Sequence, residues 1–474
     1  MRSGVVLTVL AVGCAPSRRC PPLLAALPVS EEGASDRVRV QPDDGAAMFF
    51  GASTVRTLDL DLDPAALAVL DAAPAAEQYV PAQLSVDGGV VGPVGLRYKG
   101  SVGAFVGCVS NSTEDDPFDL SGSKTCPKLS YKVSLNEIEP EQSLFGMRKL
   151  LLHAMHTDPS MLREHLGYRV FREAGVPASR TSYVRVRVNG EVQGVFLAVE
   201  DVDGRFTRSH FADGEGNLYK DLWPSYRRDA TVPVDAPRAL AALQTNEDEA
   251  PDVSRLVRFA DELADAAEAE DGDARADVVA AGMSTEHVAA YLAADRAIRH
   301  DDGPLHLYAP WGPGAGHNVY VYEEQRADRW WLVPWDLDRA FAVDTDWAGP
   351  GDAFSRIAPN WDDTDGDCAK RVANAGAWPQ VPCACDPLVG AFACGWRDRV
   401  RAHAEALWTG PLAASTLDSW VEAQVALLTP LVREQHDADP RNPTVDAWRA
   451  GVEDLRARLA WLRAHVADGV PTDP

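Results

Sequence analysis

The chain has little of what would mark a nucleic-acid-binding or membrane-spanning protein. Basic residues are scarce: 45 Lys and Arg stand against 71 Asp and Glu, and the net charge of −26 repels phosphate backbones and anionic lipid, which argues against nucleic acid as a partner. The apolar stretch at the start, "VVLTVLAV" (5–12), is too short to cross a bilayer. Cysteine is rare, 8 in 474 residues, and no Cys-x-x-Cys pair occurs. His403 lies nine residues past Cys394, which leaves a zinc site weakly supported against disulfides. No internal repeat is evident, and no βαβ unit with helices between parallel strands is present to carry a sugar nucleotide. What remains is a long acidic chain, larger than one hydrophobic core supports, which predicts either two lobes sharing a cleft or two domains.

The first residues read as a processing signal. Arg2 supplies the positive end, the short apolar stretch follows, and "AVGC" places small residues before Cys14. This resembles a bacterial lipoprotein signal in which Cys14 becomes the lipidated N-terminus, although Ala11 stands where that pattern most often has Leu; an ordinary secretory signal cut nearby is the other reading. Either one makes the mature chain exported, at the cell surface or in the periplasm, touching the membrane only through the anchor. Export makes disulfides the default for Cys108, Cys126, Cys368, Cys383, Cys385 and Cys394. A Cys108–Cys126 bridge is preferred, with two more in the later cluster whose connectivity stays open.

Residues 15–50, rich in Pro, Ala and charge without apolar period, read as a tether, and structure is expected to begin near "STVRTLDLDL". "SYVRVRVNGEVQGVFLAVE" (182–200) alternates apolar and charged residues around Asn189-Gly190, a tight hairpin turn. "DPSMLREHLGYRVFREAGVP" reads as a helix opened by Asp158 and Pro159 and closed by Gly175, with Glu164 on the inward stripe between Met161 and Tyr168. A carboxylate facing inward wants a cationic partner. Residues 247–277, acidic and Ala-rich, read as a solvated surface insertion. "MSTEHVAAYLAADRAIRH" reads as a helix capped by Ser284, and three amphipathic helices follow from residue 396. The acidic run "DDTDGDC" (362–368) falls within a Cys-rich insert over 362–394; it has the look of a calcium loop but lacks the distal Glu of an EF-hand, so a solvated loop is preferred.

"WWLVPWDLDRAF" (330–341) ends an aromatic run on Asp336 and Asp338, two like charges that are tolerable if cations sit between them. In an extended segment the two would point the same way, their Cα atoms about 6–7 Å apart. Oxygen ligands at that spacing suit Mg²⁺ or Mn²⁺ beside a triphosphate. "YKGSVG" (98–103), "KTCPKLSYKVSLN" (124–136), "GNLYK" (216–220), "HDDGPLH" (300–306) and "GHNVYVYEE" (316–324) surround that motif in the chain.

In this order, with "LRYKG", "PKLSYKV" and "LVPWDLD" as its best-matched pieces, the sequence resembles the CotH kinase family, secreted or spore-coat kinases distantly related to protein kinases. The resemblance covers roughly residues 55–465. It implies an α+β, atypical protein-kinase-like two-lobed fold: a mixed-sheet N-lobe over 51–200 and a mostly helical C-lobe over 201–474. It also implies transfer of the ATP γ-phosphate to Ser or Thr hydroxyls of an unknown protein substrate. The chain is expected to act as a monomer.

By the same resemblance Asp336 and Asp338 hold the metal and Asn318 completes its coordination. Asp302 is the catalytic base, with Asp301 as the alternative. Lys132 holds the phosphates, or else Lys128, and Glu164 pairs with that lysine; Glu200 belongs to the same nucleotide-binding set. "PLHLYAPWGPGAG" separates Asp302 from His317-Asn318 by more than is usual in the family, and a long insert lies between Gly103 and Lys128. A non-catalytic adhesin or scaffold on the same fold is the rival reading.

Overall fold

Alternation of apolar and polar side chains shapes the first half of the protein. The computed structural model describes residues 45–51, 55–225, 234–247, 251–269, 272–300, 302–306, 317–343, 372–373, 379–380 and 386–466. Seven strands, β1 (Arg56–Asp61), β2 (Val80–Val86), β3 (Gly89–Tyr98), β4 (Tyr131–Ser134), β5 (Lys149–His153), β6 (Thr181–Val188) and β7 (Glu191–Val199), close into a barrel in the order β1-β2-β3-β4-β5-β7-β6. Neighbours are antiparallel except β1 and β6, whose parallel pairing closes the ring. The sheet is thus mixed, as expected, and its closure removes the free edges an open sheet would expose.

Strands β5, β6 and β7 send residues to two different cores, whereas β1 to β4 feed the barrel core alone. Leu58, Leu96, Tyr98, Tyr131, Leu152 and Phe196 fill the barrel, whereas Leu151, Val195, Leu197 and Val199 face outward and join the core of the helical half. The β6–β7 turn takes the hairpin form its sequence demands, with Asn189 and Gly190 both at positive φ (50° and 82°). The Cys108–Cys126 disulfide is present, closing the loop between β3 and β4. Cys14, the later cysteine cluster and the acidic run 362–368 lie outside the described residues and side chains.

Packing begins earlier than the sequence suggested. Ala46, Phe49 and Phe50, inside the stretch read as tether, are buried in the barrel core. The helix after β5 begins later than expected, at Arg163 rather than Pro159 (Arg163–Glu173). Asp158 still organises its start: one carboxylate oxygen accepts Ser160 N–H and the other Arg163 N–H, at 2.9 and 2.8 Å, around a Met161 held at φ 58°.

The second half is mostly helical around a three-stranded antiparallel sheet, β8 (Leu218–Lys220), β9 (Val319–Glu324) and β10 (Arg329–Pro334), in the order β10-β9-β8. Helix Thr285–Ile298, capped by Ser284 as expected, is almost wholly buried behind this sheet. Helices Arg397–Thr409, Ala414–Ala438 and Val445–His465 complete the half, and the middle one packs on the outer face of β7. Helix Ser254–Glu268, within the run read as a solvated insertion, buries Leu256, Phe259, Ala260 and Leu263 in the core. Its apolar residues fall every three to four positions, a stripe masked by the acidic residues between them. Among the described residues no helix is long and apolar enough to cross a membrane.

Candidate active site

The outer face of the barrel supplies the basic half of the site. On β3, Leu96 and Tyr98 point inward, so Arg97 and the next alternate residue, Lys99, point out. The register pairs Arg97 with Lys132 and Lys132 with Leu151, which puts Lys132 and, two residues past Leu151, His153 on that same face. Lys99 Nζ lies 2.8 Å from His153 Nε2, and His153 Nδ1 lies 3.0 and 2.9 Å from the two carboxylate oxygens of Glu164 in the helix behind. The inward Glu164 therefore meets a histidine, with the lysine one step beyond. Burial pushes the Lys99 amine down, against the pull of Asp336 and Glu164. It holds the His153 imidazole neutral, down to about 3, with Lys99 adding to the effect. Burial and the nearby Asp336 push Glu164 up.

The acidic half arrives at the ends of β9 and β10. After Pro334 the chain turns sharply: Asp336 takes a left-handed conformation (φ 51°) and Leu337–Arg339 form a 3₁₀ turn. The extended geometry expected for Asp336 and Asp338 is thus replaced by a turn. Three contacts hold this corner. Tyr168 Oη accepts Asp336 N–H at 3.0 Å, Asn318 O accepts Trp335 N–H at 3.1 Å, and His300 Nε2 donates to Asp336 O at 3.0 Å. The other His300 nitrogen faces the buried Asp295 carboxylate at 3.5 Å. Asp338 sits 3.3 Å from Thr157 Oγ1, and its carboxyl is pushed well up by burial and then by the charges of Asp336, Glu164 and Asp302.

Asn318, also left-handed at φ 54°, bridges to the expected base. Its backbone N–H donates to Asp221 Oδ1 at 2.8 Å, and its amide Nδ2 donates to Asp302 O and Oδ2, each at 3.0 Å. His317 stands 3.6 Å from Asp221 Oδ1 and 3.9 Å from Asp302 Oδ2. The Asp302 side chain keeps 34% of its surface exposed. Asp301 lies outside the described residues. Lys220, at the end of β8, places its ammonium over the Tyr320 and Trp335 rings at 5.9 and 5.7 Å and is a charged neighbour of Lys99.

Asp336, Asp338, Asn318, Asp302 and Glu164 are thus brought together, and the basic assignments change. Lys128 is buried and donates to Val195 O at 2.6 Å and Gln435 Oε1 at 3.4 Å, with burial pushing its amine down to about 7; it joins the barrel to helix Ala414–Ala438. Lys132 shares the outer face but has Asp201 as its acidic neighbour among Lys149, Arg97 and Lys99. Glu200 binds Arg180 (2.9 and 2.7 Å) and Arg205 (2.5 Å). Burial alone would raise its pKa, but the Arg180 hydrogen bond and the charges of His210, Arg180 and Arg205 outweigh it and hold the carboxyl below its ordinary value. That is a structural ion cluster.

Lys99, His153 and Lys220 were not picked out by sequence. The signal for Lys99 was the alternation Leu96-Arg97-Tyr98-Lys99, cut short by Gly100.

The donor set fits a divalent cation. Asp336, Asp338 and Asp302 offer hard oxygen donors, the charges of Asp336 and Asp302 both weigh on the Asp338 carboxyl, and a cation among them would offset that repulsion. His153, Glu164 and Asp336 also bring one potential ligand atom each within 4.8 Å of one another.

Residues 96–460 match the family described as CotH kinase protein. The inner spore coat protein H-like protein of Bacillus subtilis (strain 168) is 35% identical over 116 residues, 24% of this chain and 35% of that protein. The inner spore coat protein H of the same organism is 32% identical over 88 residues, 18% of this chain and 24% of that protein. The matched segments span about a third and a quarter of those two relatives. The family match takes in β4 to β10, Lys99, the Asp302–Asn318 pair and the Asp336 corner, and the chain belongs to the CotH kinase family.

Proposed function

We propose that the protein is an atypical protein kinase that transfers the ATP γ-phosphate to Ser or Thr hydroxyls of a protein substrate. The observation that carries this reading is the meeting of Lys99, from the barrel, with Asp336, from the far end of β10, across one small volume that also holds Glu164, Asp338 and Asp302. Phosphoryl transfer asks the protein mainly to position the reactants and neutralise phosphate charge. Lys99 and Lys220 supply positive charge toward the phosphates. Asp302, oriented by the Asn318 amide, accepts the proton of the acceptor hydroxyl. Asp336 and Asp338 would hold Mg²⁺ or Mn²⁺, with the Asn318 amide oxygen as a further ligand, and that ion supplies charge neutralisation at the phosphates. Export with a lipidated Cys14, and action as a monomer, belong to the same proposal.

The test is incubation of the purified chain with labelled ATP and Mg²⁺ or Mn²⁺, reading both autophosphorylation and hydrolysis. Asp336→Asn removes a metal-binding charge while keeping a residue that tolerates the left-handed backbone, and it should abolish transfer. Asp302→Asn should lower transfer by roughly two to four orders of magnitude while nucleotide binding persists. A wild-type chain inert toward ATP, with nucleotide and metal binding unchanged by Asp336→Asn, would replace the kinase with a scaffold or adhesin on the same fold.

A further inference from the structure

A direct lysine–glutamate ion pair would be the simplest way to hold a phosphate-binding lysine, yet here an imidazole stands between the two groups. Resting on the kinase reading, we propose that His153 is the positioning residue for Lys99: its Nε2 accepts from the Lys99 ammonium while its Nδ1–H donates to Glu164, so the glutamate aims the lysine through the ring.

The hydrogen-bond inventory forces a choice. A neutral imidazole has one donor and one acceptor nitrogen. Both nitrogens are in short contact, at 2.8 Å to Lys99 and at 2.9 and 3.0 Å to Glu164. An ammonium can only donate, so if Lys99 is charged the proton must sit on Nδ1 and Glu164 must be the acceptor. The reverse arrangement, Nε2–H toward a neutral amine and Nδ1 accepting from a protonated Glu164, would leave no positive charge for a phosphate at this lysine. Burial favours the ring's neutral form, as either arrangement needs.

Burial works against charge on both partners, lowering the Lys99 amine and raising Glu164, while Asp336, Glu164 and Asp201 pull toward the ammonium and Lys220 opposes it. A phosphate-binding lysine needs the charged chain, and with the ammonium in place the two short contacts of the ring admit only the Nδ1–H tautomer. The ring itself is fixed: it is 7% exposed and meets the Trp335 indole edge-on at 6.2 Å, and Trp335 in turn lies under Lys220. His153 therefore links the barrel lysine to the helix carrying Glu164 and to the residue before Asp336. A divalent ion among His153, Glu164 and Asp336 is the competing occupant of the same atoms. It would take the Nδ1 lone pair and turn Nε2–H toward Lys99, so the ion and the ammonium chain exclude each other.

Two measurements on the full chain decide the matter. The first is NMR of the ¹⁵N-labelled imidazole, identified by its loss in His153→Gln, without nucleotide and with diamagnetic Mg²⁺ added. The expected result is the Nδ1–H tautomer in both conditions. An Nε2–H ring in either condition would overturn the proposal.

The second is ADP affinity by calorimetry for the wild type, His153→Ala and His153→Gln, each checked for folding by its melting curve. Gln carries an acceptor and a donor side by side and can span the same two partners. His153→Ala should weaken ADP roughly 10- to 100-fold, the range of a lost charge-assisted hydrogen bond, and His153→Gln should recover to within about threefold of wild type. Equal loss in both folded variants refutes the relay. If the wild type binds no ADP although the ring is the Nδ1–H tautomer, the nucleotide role fails with the kinase reading and the hydrogen-bond chain stands as structure alone.

Discussion

Exchanging each candidate lysine for methionine, one at a time, separates three roles that the sequence left merged. Lys99→Met keeps the length of the side chain and deletes the ammonium that sits 2.8 Å from His153 Nε2. If that ammonium meets phosphate oxygens, what is lost is a charge-assisted hydrogen bond worth about 1.5–3 kcal/mol, or roughly 10- to 150-fold in ADP or ATP affinity. Lys132→Met removes a half-buried amine whose acidic neighbour is Asp201, outside the Asp336 corner, and should change nucleotide affinity by less than about threefold. Lys128→Met should leave affinity untouched and act on stability. It strips the donor from Val195 O, about 1–3 kcal/mol, offset in part because a buried amine no longer has to be desolvated. Calorimetric titration with ADP and Mg²⁺, beside urea denaturation of each variant, reads both quantities. If Lys132→Met loses the nucleotide and Lys99→Met does not, the placement of the phosphates against the outer end of β3 is wrong.

Glu200→Gln should destabilise by about 3–5 kcal/mol in urea denaturation, because it leaves Arg180 and Arg205 facing a neutral group in a buried cluster, while the fraction that stays folded binds nucleotide normally. Acid should weaken the protein through its buried histidines. His165 is held down to about 3 by burial and by Arg172 and Arg169, so the unfolded chain takes up this proton near pH 6.5 and the folded one does not. The stability it contributes is complete above pH 6.5 and is lost as pH falls toward 3, at about 1.4 kcal/mol per pH unit. His165→Asn, whose amide can still reach Thr181, should flatten the stability–pH slope by that amount between pH 6.5 and 5; an unchanged slope refutes the assignment.

The acidic site was legible because its residues are close in sequence or follow strong local signals. The aromatic strand ending at Asp336 and the inward stripe carrying Glu164 needed only periodicity, and both carboxylates fall where that reading put them. The basic half was harder, because which lysine faces the cleft depends on register across three strands. Lys128, Lys132 and Lys99 all lie near strand ends, and nothing local says that the partner of the first is Gln435, far along the chain. The turn at Asp336 was also hidden. An Asp-x-Asp run reads as extended until Tyr168 and His300, from two other elements, are seen to grip its backbone. Helix Ser254–Glu268 shows a different blind spot, in which average acidity concealed an apolar stripe.

The long-range joint at Gln435 bears on the order in which the protein can be made. Val195 N–H and the Lys128 amine, both buried parts of the barrel, find their side-chain partner 240 and 307 residues further on, and Trp448 Nε1 donates to Ser160 O across 288 residues. While the chain is being synthesised, every strand of the barrel is available long before these partners exist. The early barrel must carry a wet seam along β7 until helix Ala414–Ala438 docks, and it is then that Lys128 loses its water. Contacts of such sequence separation form late and slowly. Folding should therefore show a slow final phase in which Trp448 and the Lys128 joint become protected together, after the hairpin around Asn189 and the remaining strands are in place.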